Sequence, residues 1–180
     1  MRDPRTAGPG LATATHLYTA EGLGKDFLEQ LFATGVVFSN DDRQMLDWVA
    51  RGQYPIVIAP SEVLAAELKD KGVPDLELLP AEALLEGSYL TAGIASITVL
   101  DQAPHPNAAK VYLNWFLSKE AQTAWSRAAG YVSRRLDVPR DHLPPFLIPK
   151  EGGRLQENYK EPFVIIREEL EGFLRSTIRS

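Results

Sequence analysis

The regular alternation of strand-like and helix-like segments is the feature that most restricts what this chain can fold into. Short β-rich stretches occur at 36–39 (VVFS), 54–59 (YPIVIA), 76–79 (LELL) and 94–100 (IASITVL). Helical patterns with polar capping residues at their starts lie between them, so that strands recur about every 20 residues. This spacing is typical of βαβ units and predicts an α/β fold, with a mainly parallel sheet flanked by helices.

The composition excludes several classes of protein. The 180 residues suffice for one domain or two small lobes. A formal net charge of -5 argues against nucleic acid as the main partner, because binding to phosphates requires a basic surface. No apolar run reaches the roughly 20 residues that cross a bilayer, and the first residues lack the apolar segment of a signal peptide. The absence of cysteine excludes disulfides and thiolate metal sites.

A glycine-rich loop, DPRTAGPG at residues 3–10, has no strand-like segment in front of it. Because such loops follow strands in parallel α/β sheets, we expect the chain to be the later part of a longer protein, and whether residue 1 is the natural start stays open. Backbone N–H groups at the start of the helix that follows favour an anion or carboxylate. The candidate ligand contacts here are Arg5, Thr6, Gly8 and Gly10. A plain turn with two glycines is the alternative.

Polar residues near the other strand-like segments are further candidates, because ligands bind outside the carboxyl ends of parallel strands. These candidate ligand contacts are Asn40, Arg43 and Ser61. Tyr89 is a further candidate, because it precedes the strand-like segment 94–100 and aromatic side chains can line a ligand cleft. Helix capping is the alternative for Asn40 and for Ser61, and Glu62 would then interact only with the dipole of its own helix. A core position is the alternative for Tyr89.

Residues 106–128 predict one long helix. Pro106 suits a first helical turn, and apolar residues including Trp115 and Trp125 form a wide stripe along the segment. A stripe of this width predicts burial along the length of the helix against a large partner surface.

Four segments resemble the C-terminal half of extracellular solute-binding proteins of ABC importers, in the type II branch with iron(III)-, thiamine- and polyamine-binding members. They are VARGQYPIVIA (49–59), ASITVL (95–100), APHPNAAKVYLNWFLSKEAQ (103–122) and GYVSRRLDV (130–138). The helix of the third segment followed by the fourth is the most specific element, and the resemblance covers most of residues 3–138.

The resemblance implies a periplasmic-binding-protein-like type II fold, in which two α/β lobes close on a ligand. This chain would supply one lobe nearly whole and part of the other. Residues 1–94 would form the second lobe, 95–135 the return segment and long helix of the first lobe, and 136–180 a connector and helix that pack back on the second lobe. The implied function is capture of a small, anionic solute for an ABC permease, in the periplasm or outside the cell.

No sequence motif of catalysis is present: the chain has no G-x-S-x-G, no Walker loop and no H-E-x-x-H. We therefore predict a protein that is not an enzyme, with an enzyme or ligand-sensing domain on a doubly wound α/β fold as the alternative. Iron-binding members of the branch use adjacent tyrosines, and no two tyrosines are adjacent here. We predict no metal and no cofactor. Self-association is a further expectation, because missing partner strands would leave a sheet edge exposed.

Overall fold

A computed structural model describes residues 1–73, 76–79, 83–90, 97–148, 150, 152–153, 155–158 and 160–178. The chain divides into two compact units, one formed by Met1–Ala92 with Glu151–Ser180 and the other by Gly93–Lys150. Residues 94–96 of the strand predicted at 94–100 lie outside the described residues, and residues 97–100 have no regular secondary structure.

The described residues are mainly helical. In chain order the elements are α1 (Pro9–Thr19), α2 (Gly24–Ala33), α3 (Asp42–Ala50), α4 (Glu62–Asp70), β1 (Ser88–Leu90), α5 (Pro106–Phe116), α6 (Lys119–Ala129), a 3-10 turn (Pro145–Leu147), β2 (Leu155–Glu157) and α7 (Glu161–Thr177). None of these helices combines the length and the apolar character needed to cross a membrane, so far as the described residues go.

Three extended segments lie side by side in the first unit. The N–H of Ser39 donates to the carbonyl of Met1 (3.2 Å), and the N–H of Arg2 donates to the carbonyl of Ile58 (3.2 Å). Arg2 and Ser39 also form a parallel bridge. Residues 1–3 therefore lie between 36–39 and 56–59. They occupy the position of a strand before the glycine-rich loop, which was not visible in the sequence pattern. Three residues are too few to reveal a strand period.

The regular sheet is smaller than predicted. Among the described residues only β1 and β2 form a ladder, which is parallel and pairs Ser88 with Leu155 and Leu90 with Glu157. The predicted strands at 54–59 and 76–79 are not regular strands, and 36–39 has only the isolated bridge at Ser39. The fold is thus a mixture of helices and short extended segments, compatible with α/β, and its wider sheet topology stays a prediction.

Two apolar clusters hold the first unit together. Helices α1, α2 and α7 contribute the first, whose buried members are Leu11, Ala14, Leu28, Leu170, Leu174 and Ile178. Helices α3 and α4 contribute Leu46 and Ala65 to the second. Phe38 packs on the first cluster and Val57 on the second. The extended segments therefore have helices on both sides, which is the layer arrangement of an α/β unit.

The predicted long helix at 106–128 is two helices in the structure, so that prediction was wrong. The side chain of Ser118 accepts a hydrogen bond from the N–H of Ala121 (3.2 Å) and caps α6. The apolar period runs through this cap and conceals the break. The predicted burial is also not observed in this chain: α5 has no buried residue, and Trp115 is 57% exposed.

Candidate functional site

The carboxyl ends of the three extended segments lie at one edge of the first unit. Each segment leads directly into a helix, 1–3 into α1 through the glycine-rich loop, 36–39 into α3, and 56–59 into α4. Helix N-termini carry partial positive charge and unpaired N–H groups, and ligands of α/β units bind at such edges. We call residues 3–10, 39–43 and 59–62 the helix-start edge and take it as the candidate site.

The start of α1 lies beneath the glycine-rich loop, and Gly10 and Leu11 in its first turn are buried. No side chain caps this helix, whose N-cap is Gly8 in a conformation with φ 137°. Gly10 lies directly under the loop, because a Cβ placed there would be 2.3 Å from the carbonyl oxygen of Asp3. The hydroxyl of Thr6 donates to the same carbonyl (3.3 Å). The loop is thus folded tightly over the first turn of α1, and the N–H groups of that turn have no side-chain acceptor.

Two arginines at the edge are already paired. Arg5 donates from Nε and Nη2 to the two carboxylate oxygens of Asp3, at 3.0 and 2.9 Å, and its guanidinium lies 5.6 Å from the ring centre of Phe38. Its hydrogen bond is the main reason that the pKa of Asp3 is lowered. Arg2 contacts Asp42 at 2.5 Å. These pairs fix the geometry of the loop and cancel most of the local charge.

The other predicted site residues lie at the starts of α3 and α4. Asp41, rather than Asn40, caps α3 by accepting from the N–H of Gln44 (3.1 Å). Asn40 and Arg43 are exposed beside it. Ser61 caps α4 by accepting from the N–H of Leu64 (3.3 Å), so the predicted capping role is confirmed. The structure therefore brings all the predicted contacts except Tyr89 to the helix-start edge itself.

Tyr89 lies in β1 and contacts α1. Its hydroxyl is 2.5 Å from Oγ1 of Thr13 and 3.4 Å from the carbonyl oxygen of Pro9. Burial is the main cause of its raised pKa, and the carboxyl of Glu62 raises it further. Tyr89 thus joins β1 to the first turns of α1. Sequence reasoning missed Thr13, whose only signal is its position one turn after Pro9.

Glu62 is the first residue of α4 and has an unusual environment. The residue as a whole is exposed, yet neighbouring protein atoms desolvate its carboxyl group and raise its pKa. No described residue forms an ion pair or hydrogen bond with this carboxyl group. Ala59, three residues earlier, has φ 59°, a strained conformation for a residue other than glycine. Strained backbone of this kind concentrates at functional sites.

His16 lies behind the site, at the end of α1 remote from the loop. It is 6% exposed, its ring centre is 5.5 Å from that of Tyr89, and its Nδ1 is buried without a hydrogen-bond partner. Burial lowers its pKa from the usual 6.5, although Gln156 and the backbone of Gly87 partly oppose the shift.

Stability should therefore fall in mild acid. The unfolded chain binds a proton on His16 near pH 6.5, more readily than the folded chain does. The stability associated with neutral His16 is complete above this pH and is lost as the pH falls towards the lowered folded pKa. Urea unfolding at a series of pH values from 7.5 to about 5 tests this. The His16→Gln variant should lose less stability over the same range, and an equal loss would contradict the prediction.

A small apolar pocket lies at the opposite ends of the same three segments. Met1, Val37 and Ile56 line it together with Trp48 and Tyr54, and its volume is about 40 Å³. Ligand pockets usually measure roughly 300 Å³ or more, so this space is too small for a solute.

A serine, a histidine and an aspartate are close together in the second unit, but not in a catalytic arrangement. Ser126 Oγ donates to the carbonyl of Tyr131 (2.6 Å) and lies 3.1 Å from Nε2 of His142. Ser126 is fully buried, and Asp141 is 3.8 Å from Nδ1 of His142. A nucleophile must reach its substrate, so the buried Ser126 is not placed for catalysis, and its contacts instead join α6 to Tyr131 and His142.

The part of the chain that the structure describes contains no group of three histidine, aspartate or glutamate side chains suited to a metal ion.

The first unit has helices on both sides of its extended segments and an edge of helix starts, an arrangement found in ligand-binding proteins. A family model described as bacterial extracellular solute-binding protein matches residues 1–132 of the 180. The chain therefore belongs to the bacterial extracellular solute-binding proteins. Neither the search of curated proteins nor the search of solved structures found a match. Membership implies solute binding in transport and a location outside the cytoplasm. Families of this kind typically bind solutes without transforming them.

Proposed function

We propose that this chain is the substrate-binding component of an ABC importer, or the C-terminal half of one, and that it captures a small anionic solute at the helix-start edge. The observation that carries the proposal is the uncapped start of α1 beneath the glycine-rich loop. Its N–H groups and helix dipole favour negative charge. We expect the predicted contacts Arg5, Thr6, Gly8, Gly10, Asn40, Arg43 and Ser61 to bind the solute, together with Tyr89, which contacts α1 from β1.

Solute capture would follow the type II mechanism, in which two lobes close on the ligand. The first unit would be the lobe that carries the helix-start edge. The second unit would contribute to the other lobe through α5, and the exposed side chains of Val111, Tyr112 and Trp115 would pack on the rest of that lobe. If the rest of that lobe is absent, we expect the chain to self-associate through the exposed apolar side chains of α5. The closed protein would deliver its solute to an ABC permease from the periplasm or the cell exterior.

Thermal unfolding in the presence of candidate solutes tests this function. Sulfate, phosphate and small carboxylates should raise the melting temperature, whereas polyamines and iron(III) chelates should not. A solute at about 100 times its Kd stabilises the folded state by roughly 2.7 kcal/mol, which corresponds to about 5–10 °C for a chain of this size. A rise with polyamines or iron chelates alone would contradict the proposal.

Arg43→Gln should lower the affinity for such an anion by about tenfold, because an exposed charge-assisted contact is lost. Arg51→Gln is the matched control, since Arg51 lies at the other end of α3 and is paired with Asp47. Titration calorimetry with the anion that gives the largest rise in melting temperature measures both affinities. Equal losses in the two variants would show that the start of α3 is not part of the site.

A further inference from the structure

A polar network joins the C-terminal part of the first unit to α1. Asn158, which follows β2 and is fully buried, donates from Nδ2 to the carbonyl of Ala12 (3.0 Å). Gln156 donates from Nε2 to Oδ1 of Asn158 (2.6 Å) and to Oγ1 of Thr19 (2.7 Å). A buried network of this kind stabilises a fold only while each of its members has a partner.

His16 lies beside this network, and one of its ring nitrogens has no partner. The residue is 6% exposed, and its ring centre is 5.5 Å from that of Tyr89. Tyr89 pairs with Gln156 in the β1–β2 ladder, so the imidazole lies against the ladder. Its Nδ1 is buried without a hydrogen-bond partner among the described residues. A proton added at Nδ1 would create a buried, charged N–H group with no acceptor, which is unfavourable.

Burial outweighs the neighbours that favour a charged imidazole. The charged and titratable side chains of the surrounding elements are Glu86 before β1, Tyr89 in β1, Glu157 in β2 and Arg167 in α7. Glu86 favours the charged form, as do hydrogen bonds with Gln156 and the backbone of Gly87. Tyr89 stays neutral, since burial raises its pKa. Desolvation is the largest effect, so the pKa of His16 is lowered.

We propose that His16 is a pH-sensitive latch: the β1–β2 ladder is closed over α1 while the imidazole is neutral and opens locally when the imidazole gains a proton. Local opening is feasible because the ladder has only three residue pairs and the residues of β2 are half-buried. Helices α1 and α7 share a separate apolar cluster and would stay folded. Opening would withdraw the hydroxyl of Tyr89 from Thr13. A protein outside the cytoplasm is exposed to the pH of its surroundings, which supplies the signal.

The direction of the pH dependence follows from the two forms of the latch. In the open form the imidazole is hydrated and binds a proton near the usual pH of 6.5, whereas the closed form does so only at a lower pH. The closed form is therefore most stable relative to the open form above pH 6.5, and this stability is lost as the pH falls towards the lowered pKa. Between the two pKa values, the open population rises by up to about tenfold for each pH unit.

Backbone hydrogen exchange of the whole chain, measured at about pH 7.5 and about pH 5.5 in low concentrations of urea, tests the latch. The amides of β1 and β2 should exchange through an opening that urea hardly affects, because little surface becomes exposed. Their protection factors, which correct for the intrinsic effect of pH on exchange, should be about tenfold lower at the lower pH. In His16→Gln this difference should disappear. His105→Gln should retain it and is the matched control, since His105 is exposed at the start of α5.

Three results would overturn the proposal. One is exchange of the β1 and β2 amides with the same dependence on urea as the amides of α1, because the ladder would then open only when the whole unit unfolds. Another is a tenfold difference that persists in His16→Gln. The third needs no variant: the imidazole signals of His16 in the parent protein, followed by NMR, should titrate below pH 6.5, and titration at or above that pH would contradict the latch.

Discussion

Replacement of Gly10 by alanine is expected to lower the free energy of unfolding by about 3 kcal/mol and to abolish solute binding. The new Cβ would be 2.3 Å from the carbonyl oxygen and 2.7 Å from the carbonyl carbon of Asp3. Both are backbone atoms, so no side-chain rotation relieves the clash. The loop would have to move away from the first turn of α1, where we place the solute. Urea unfolding followed by circular dichroism measures the loss of stability.

Gly172→Ala provides the control for this substitution. Gly172 is exposed in α7, and a Cβ there would meet no atom within 4 Å. Alanine has the higher helix propensity, so this variant should be more stable than the parent protein by about 0.5–1 kcal/mol. If Gly10→Ala were as stable as Gly172→Ala, the close approach of the loop to α1 would be wrong.

Replacement of Leu174 by alanine is expected to lower the free energy of unfolding by about 2–5 kcal/mol. Leu174 is fully buried in the cluster that joins α7 to α1 and α2, and the substitution leaves a cavity there. Because α1 forms the centre of the candidate site, the variant should also bind solute less well at temperatures near its melting point. Thermal and urea unfolding give the loss directly.

Ile165→Ala is the matched control on the same helix. Ile165 is 64% exposed, so its truncation removes little buried surface and should change stability by about 0.5 kcal/mol or less. A cost for Ile165→Ala that equals or exceeds the cost for Leu174→Ala would show that a different face of α7 packs on α1.

Much of the helical structure could be predicted from the sequence, because its signals are local. Ser61 was expected to cap the helix after YPIVIA, and it does so. Gly35, Gly52 and Gly72 follow helix ends with positive φ, as glycine at such positions predicts. These signals involve residues within one or two turns of each other and need no tertiary information.

Other elements could not be predicted, because they depend on distant parts of the chain. Residues 1–3 are extended because their backbone groups form hydrogen bonds with the segments on either side, 36–39 and 56–59. The break at Ser118 was missed for a different reason. Serine within an apolar period looks like a solvent-facing position, and only the backbone shows that it begins a new helix.

For the candidate site, too, some features could be predicted from the sequence and others could not. The rule that ligand-binding groups follow strands was sufficient to predict that Arg5, Gly8 and Ser61 lie at one edge. It did not indicate which charges are already used: the pairing of Arg2 with Asp42 joins residues 40 positions apart. Thr13 was missed because its contact with Tyr89 spans 76 positions.

Amide chemical shifts measured during a solute titration test most directly whether the helix-start edge binds the solute. The titrant is the compound that raises the melting temperature most among sulfate, phosphate and the small carboxylates. We predict that the largest shifts occur at Thr6–Gly10, Asp41–Arg43 and Ser61–Glu62, and that they saturate together with a single Kd. Shifts that instead cluster around Trp48 and Tyr54, at the opposite ends of the extended segments, would contradict the account.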